Sequence, residues 1–232
     1  MSAARNHSEL LAGTSLFGAL DAQLRDAVAA EMREVRYQAG QSIFERGDPG
    51  TEIYLVLEGR VRLSVLTVDG RELSFAHAAA GDVFGEIAAL DGGSRSASAT
   101  ALTDVGMMLL TTPKFQRLID DQPALARAAI NRLCARLRDV SNHLEDIALF
   151  SVEARLARFL LHELSMRGTG TTPVMSRLVL GMSQSELALL LGASRPKVNS
   201  ALIALEEAGA IKRIGQNMEC DPGSLTAFAR LE

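Results

Sequence analysis

The sequence predicts an α+β chain: an N-terminal antiparallel, jelly-roll-like β-roll, one long helix, and a C-terminal helix-turn-helix with a two-stranded wing. Three observations carry this. Glycines at 40, 47, 50, 59, 70, 81, 85, 92 and 93 punctuate short apolar runs, the pattern of a small antiparallel roll. Ile130, Leu133, Leu137, Val140, Leu144 and Ile147 then recur at alternating steps of three and four. Past Ser151 the strand pattern stops, and two short amphipathic helices flank Gly192.

Taken in order, Leu16, Phe17, Leu20, Leu24, Val28 and Met32 keep a helical spacing between Ser15 and Met32. The period then falls to two. Ile53 to Leu57 reads as a buried strand, while Val61, Leu63 and Val65 alternate with Arg62 and Ser64, as a strand with one wet face should. Asp69-Gly70 is a hairpin turn before a strand at Leu73 to Ala76, and Val105 to Leu110 closes the roll. Pro113 opens a helical region, and the 130–147 stripe follows with Arg132, Arg136, Arg138 and Glu145 off it. A helix packed on its own domain can show such a stripe too. Strict a/d spacing is narrower than a core-facing helix needs, which points to self-pairing into a parallel homodimer. Val152 to Leu164 is a further amphipathic helix, and Arg167 to Pro173 a polar loop.

At the C-terminal end, Ser183-Gln184-Ser185-Glu186 is a capping box ahead of Leu187, Leu190 and Leu191. Ser194 is placed to cap a second helix that begins Arg195-Pro196-Lys197 and buries Val198, Leu202 and Leu205 before Gly209 stops it. Ile211 to Ile214 and Met218 to Cys220, around Gly215-Gln216-Asn217, read as the wing. Helix pairs about a glycine also occur in domains that bind no nucleic acid. The wing and the cationic first turn favour double-stranded DNA, read by the N-terminal residues of the second helix.

Size and composition exclude several classes. The 232 residues, 47% hydrophobic with a net charge of −4, describe an ordinary soluble protein with no bilayer-spanning run. The opening residues lack a secretory layout, so a cytoplasmic location is expected. Cys134 and Cys220 stand alone and are expected to be packing residues, without disulfide or metal. His7, His143 and His162 show no ligand spacing, and His77 has no evident second ligand for haem iron. From Ser151 onward there are nine Lys/Arg against eight Asp/Glu, net +1; before it, 15 against 20, net −5. These sums suit an acidic sensor joined to a locally basic reader.

The segment Phe84 to Ser96, FGEIAALDGGSRS, is the richest in chemistry. A strand end passes a glycine into a short apolar helix, whose first N–H groups welcome an anion. Gly85 permits close approach of a phosphate, Arg95 offers a planar fork, and Ser96 a hydroxyl. Glu86 suits a ribose hydroxyl. On its own the segment reads more readily as a turn, a capping glutamate and a solvated arginine; the surrounding pattern reverses that and decides for a nucleotide pocket. No nucleophile–base pair or second carboxylate accompanies it, so an enzyme is not expected.

These residues resemble the phosphate-binding cassette of cyclic-nucleotide-binding domains. The order of roll, long helix and SRxxV-type reader resembles the CRP/FNR superfamily of transcription regulators. The resemblance implies a cyclic-nucleotide-binding sensor over 1–120, a dimerisation helix over 121–150 and a winged helix-turn-helix over 151–232. It implies backbone donors from Gly85, Glu86, Ile87 and Ala88, phosphate contacts from Arg95 and Ser96, and a ribose contact from Glu86. Leu63 and Phe75 would flank the rings, with the base near Arg136, Val140 and Ser141. It implies cAMP as first effector and cGMP as second, with a cyclic dinucleotide, haem-bound gas or no effector as alternatives. It implies a homodimer through the 130–147 helix, RNA polymerase as a partner, and DNA contacts from Ser183, Ser194, Arg195, Pro196, Lys197, Asn199 and Ser200. Arg195 would read guanine and Lys197 meet a phosphate. Pro196 and Ser200 depart from the family's glutamate and second arginine, and Val140 from its threonine, so operator and base preference stay open.

Overall fold

The computed structural model describes residues 2–66, 72–166, 175–180, 182–214 and 217–230. The expected Asp69-Gly70 turn, the Arg167–Pro173 loop and the Gly215-Gln216 tip lie outside these. The chain divides into two compact units, Met1–Asp139 and Val140–Glu232. Among the described residues no helix is long and apolar enough to cross a membrane.

The first unit opens with α1 (Ser2–Ala12), a 3₁₀ turn (Phe17–Ala19) and α2 (Ala22–Glu31). The helix expected across Ser15 to Met32 is therefore interrupted. Leu20 is extended, and the Asp21 side chain accepts from the Leu24 N–H at 2.8 Å, so a fresh N-cap starts α2. Asp21→Ala should cost about 1 kcal/mol, read as a lower urea midpoint with unchanged slope.

Strands β1 (Arg33–Tyr37), β2 (Ser42–Phe44), β3 (Glu52–Glu58), β4 (Arg60–Leu66), β5 (Glu72–Ala79) and β6 (Val83–Phe84) precede a short helix, α3 (Glu86–Asp91). After it come β7 (Ser98–Ala101), β8 (Val105–Thr111), α4 (Thr112–Asp121) and α5 (Pro123–Leu149). The strands form two antiparallel sheets, β1-β8-β3-β6 and β2-β7-β4-β5. The apolar runs of β3 and β8 are explained by burial on both faces. Tyr54, Val56, Met107 and Leu109 face the roll interior. Ile53, Leu55, Met108 and Leu110 pack instead with Phe17, Phe115, Leu125 and Ala129 of the helices. Each such side chain contributes about 1.5–3 kcal/mol.

One strand departs from the expected alternation. The β4–β5 register slips between Leu63 and Ser64, a bulge that leaves Ser64 buried and Val65 half-buried. Val61 and Leu63 remain fully inward.

The second unit adds α6 (Val152–Met166), β9 (Ser176–Val179), α7 (Gln184–Leu190), α8 (Arg195–Glu207), β10 (Ile211–Ile214), β11 (Asn217–Cys220) and α9 (Pro222–Phe228). The wing is a three-stranded sheet, β10-β11-β9, one strand more than the sequence suggested. Leu156, Leu160, Leu187, Val198, Leu202 and Ile211 close its core. Cys220 is buried there, and burial pushes its thiol up to about 11. Cys134 lies exposed on α5, which corrects its reading as a packing residue: it falls off the helix's buried side.

Candidate functional site

Gly85 joins β6 to α3 in a left-handed conformation, φ +80°. A Cβ there would stand 2.7 Å from Arg95 Nη1 and 3.3 Å from the Glu52 carbonyl oxygen, so both backbone and space require glycine. Ala88 is buried and Ile87 half-buried on the short helix that follows.

Arg95 turns into the roll and is 3% exposed. Its guanidinium carbon lies 4.1 Å above the Phe44 ring and 5.7 Å from Tyr54, within a cluster where Tyr54 stacks on Phe84 at 5.2 Å. Nη1 donates to the Gly85 carbonyl at 3.1 Å, and Nη2 lies 3.7 Å from Glu52 Oε2. Nε is buried without a hydrogen-bond partner among the described residues. Burial presses the Arg95 pKa down against the pull of Tyr54 and Glu52. A cation this desolvated and incompletely bonded keeps a donor with which an anion could be held. Ser96, expected to act beside it, is exposed.

Glu86 is 4% exposed, and Arg132 of α5 reaches it at 3.6 Å. Arg132 also donates to the Ser15 hydroxyl at 2.9 Å and to the Val83 carbonyl. Sequence reasoning left Arg132 without a role; the available signal was a cation one turn before Arg136. The Glu86 carboxylate is thus tied to α5.

A cavity of about 550 Å³ opens beside β6 and α5, lined by Leu63, His77, Phe84, Arg132, Arg136 and Asp139 among others. It unites Leu63 and Arg136 of the expected set, but Gly85, Glu86, Ile87, Ala88, Arg95 and Ser96 are not in its lining. Phe75 is half-buried beneath the Arg136 guanidinium at 5.6 Å. Val140 and Ser141 stand on the same helix within the second unit, both exposed. His77 is neutral at physiological pH: burial, then Arg60 and Arg62, lower its pKa to about 4. Among the described residues no three His, Cys, Asp or Glu gather as a metal site.

In the second unit Ser183 caps α7, accepting from the Glu186 N–H at 3.2 Å. Ser194 occupies the N-cap of α8 but makes no capping hydrogen bond, contrary to expectation. Pro196 removes one of the two N–H groups that a cap serine uses. Arg195, Pro196, Lys197 and Ser200 are exposed and Asn199 half-buried, while Val198, Leu202 and Leu205 seat the helix. The Ser200 hydroxyl donates back to the Pro196 carbonyl at 3.1 Å. On α5, Ile130, Leu137, Val140 and Leu144 are 60, 67, 48 and 67% exposed, and Leu133 and Ile147 are half-buried.

Residues 34–122 match the family described as "Cyclic nucleotide-binding domain", and residues 154–228 match "Crp-like helix-turn-helix domain". The chain is 30% identical over 210 residues to the "CRP-like cAMP-activated global transcriptional regulator" of Mycobacterium tuberculosis, covering 90% of this chain and 93% of that one. It is 33% identical to the "Cyclic AMP receptor protein" of Thermus thermophilus, over 86% of this chain and 89% of that one. Its fold is similar to that of FixK2 from Bradyrhizobium japonicum, with TM-score 0.75 at 24% identity over 87% of this chain and 98% of that one. A cyclic-nucleotide-binding roll with a buried arginine, followed by a long helix and a winged helix-turn-helix, places this chain in the CRP/FNR superfamily of transcription regulators.

Proposed function

We propose that the protein is a cytoplasmic homodimeric regulator whose DNA binding is gated by a cyclic nucleotide, cAMP first and cGMP second. It works without catalysis, in contact with RNA polymerase. The observation that carries the sensor is Arg95, a buried guanidinium with an unsatisfied Nε behind a glycine that leaves room for it. In this reading Arg95 and Ser96 hold the phosphate, the Gly85–Ala88 amides complete its shell, and Glu86 takes a ribose hydroxyl. Leu63, Phe75 and Arg136 flank the base, with Val140 and Ser141 further along α5. Effector names among the relatives support cAMP. The exposed apolar seam at Ile130, Leu137, Val140 and Leu144 supports pairing of α5 with its counterpart.

The working division is sensor 1–120, dimer helix 121–150 and reader 151–232. Effector bound against Glu86 also feels Arg132, so its free energy biases the position of α5. A bias of that kind orients two recognition helices toward successive major grooves. Calorimetry with cAMP, cGMP and cyclic di-GMP tests the sensor. Saturable binding of a cyclic mononucleotide supports it, and silence with all three contradicts it.

Ser183, Ser194, Arg195, Pro196, Lys197, Asn199 and Ser200 form the proposed DNA face. Arg195→Ala should lose about 1–3 kcal/mol of discrimination at one base pair, measured by competition between operator variants. Uniform weakening across all sequences would instead make Arg195 a phosphate contact.

A further inference from the structure

The Glu206 carboxylate, in the last turn of α8, receives three bonds from one residue of the wing. The Arg213 backbone N–H donates to Oε1 at 3.0 Å, and its Nε and Nη2 donate to Oε2 at 2.9 and 2.6 Å. These bonds hold the Glu206 carboxyl below the usual range, the Arg213 side chain first.

The main-chain bond gives this clamp its reach. β10 is the edge strand of its sheet, so its outward N–H groups have no strand to pair with. Glu206 fills one of those vacancies and thereby ties the path of the strand itself to α8. Only Ala208, Gly209 and Ala210 connect the two elements, and Gly209 turns the chain with φ +71°. Hinge and clamp together fix the angle between recognition helix and wing. Because neighbours on a strand point to opposite faces, fastening Arg213 toward α8 also sets Lys212 on the other face, where it is exposed.

We propose that Glu206 is a positioning residue for DNA binding, clamping the wing so that Lys212 meets the backbone of the duplex whose bases Arg195 reads. The proposal rests on the DNA-binding reading above. It runs against simple charge counting. The Glu206–Arg213 pair is neutral, and removing an acid beside DNA strengthens attraction to phosphates. A clamp requires the reverse.

The test uses the full chain and a duplex enriched from random sequence by the unaltered protein, with affinity measured across a salt series. Glu206→Arg should bind about tenfold more weakly although it replaces a negative charge with a positive one. Its salt slope should be shallower by about one, the loss of a single phosphate contact. Arg213→Glu should also weaken binding, and Glu206→Arg combined with Arg213→Glu should recover only part of the loss, because the reversed pair restores the side-chain bonds while an arginine at 206 cannot accept the main-chain N–H. Should Glu206→Arg fail to fold, Glu206→Ala carries the same sign, since it too removes negative charge and leaves no acceptor for the Arg213 N–H. Binding by either single Glu206 variant as tight as or tighter than the original overturns the proposal. If the unaltered protein enriches no duplex, the DNA-binding reading itself falls, and the clamp's role with it.

Discussion

Arg95→Ala should weaken cyclic nucleotide binding by about 100-fold or more while leaving a folded protein. The guanidinium offers charge-assisted hydrogen bonds worth about 1.5–3 kcal/mol each, and two are lost with the fork. The cost to the ligand-free fold should be small, on the order of 1 kcal/mol. Arg95 gives up one bond to Gly85, a long contact to Glu52 and its packing on Phe44, but relief from burying a cation offsets much of this. The two effects separate by thermal unfolding. At about 100 times the original Kd, cAMP should add about 2.7 kcal/mol to the original protein and no more than about 0.4 kcal/mol to the variant. A variant that melts early yet keeps its ligand-induced shift would make Arg95 a structural residue.

The second large effect concerns the seam. Val140→Asp replaces an exposed side chain, so a single chain should keep its fold, whereas a dimer must bury two facing carboxylates. The expected penalty exceeds about 3 kcal/mol, at least a 100-fold rise in the dimer dissociation constant. Sedimentation equilibrium reads this directly. With one recognition helix per particle, operator affinity should fall by more than the effector affinity does. An intact dimer would remove this stretch of α5 from the interface.

Much of the architecture was legible because local and tertiary signals agree. The steps of three and four on α5, the Ser183 cap and the run Val198, Leu202, Leu205 each appear in the structure where their periodicity places them. Signals failed where one residue broke a pattern. Asp21 restarts a helix that apolar spacing alone would continue, and the Leu63/Ser64 bulge shifts the phase of β4 without any glycine or proline to announce it. β9 escaped notice because its alternation becomes meaningful only once β11 lies beside it.

The site was legible as chemistry and not as geometry. The FGE and RS residues could be recognised in the chain, but not that Arg95 would sink against Phe44 and Tyr54, since those rings come from distant strands. The Arg132–Glu86 contact spans 46 positions and carries no spacing rule. Ser194 looked like a cap because its type and place were right; the adjacent Pro196 took away a donor.

The gating claim is tested most directly by titrating full-length protein into a fluorescent duplex enriched from random sequence, with and without saturating cAMP, and then cGMP. The account predicts that one of these nucleotides raises operator affinity at least tenfold and that Arg95→Ala abolishes the increase. Equal operator affinity with and without either nucleotide, in a protein that binds them, would contradict it.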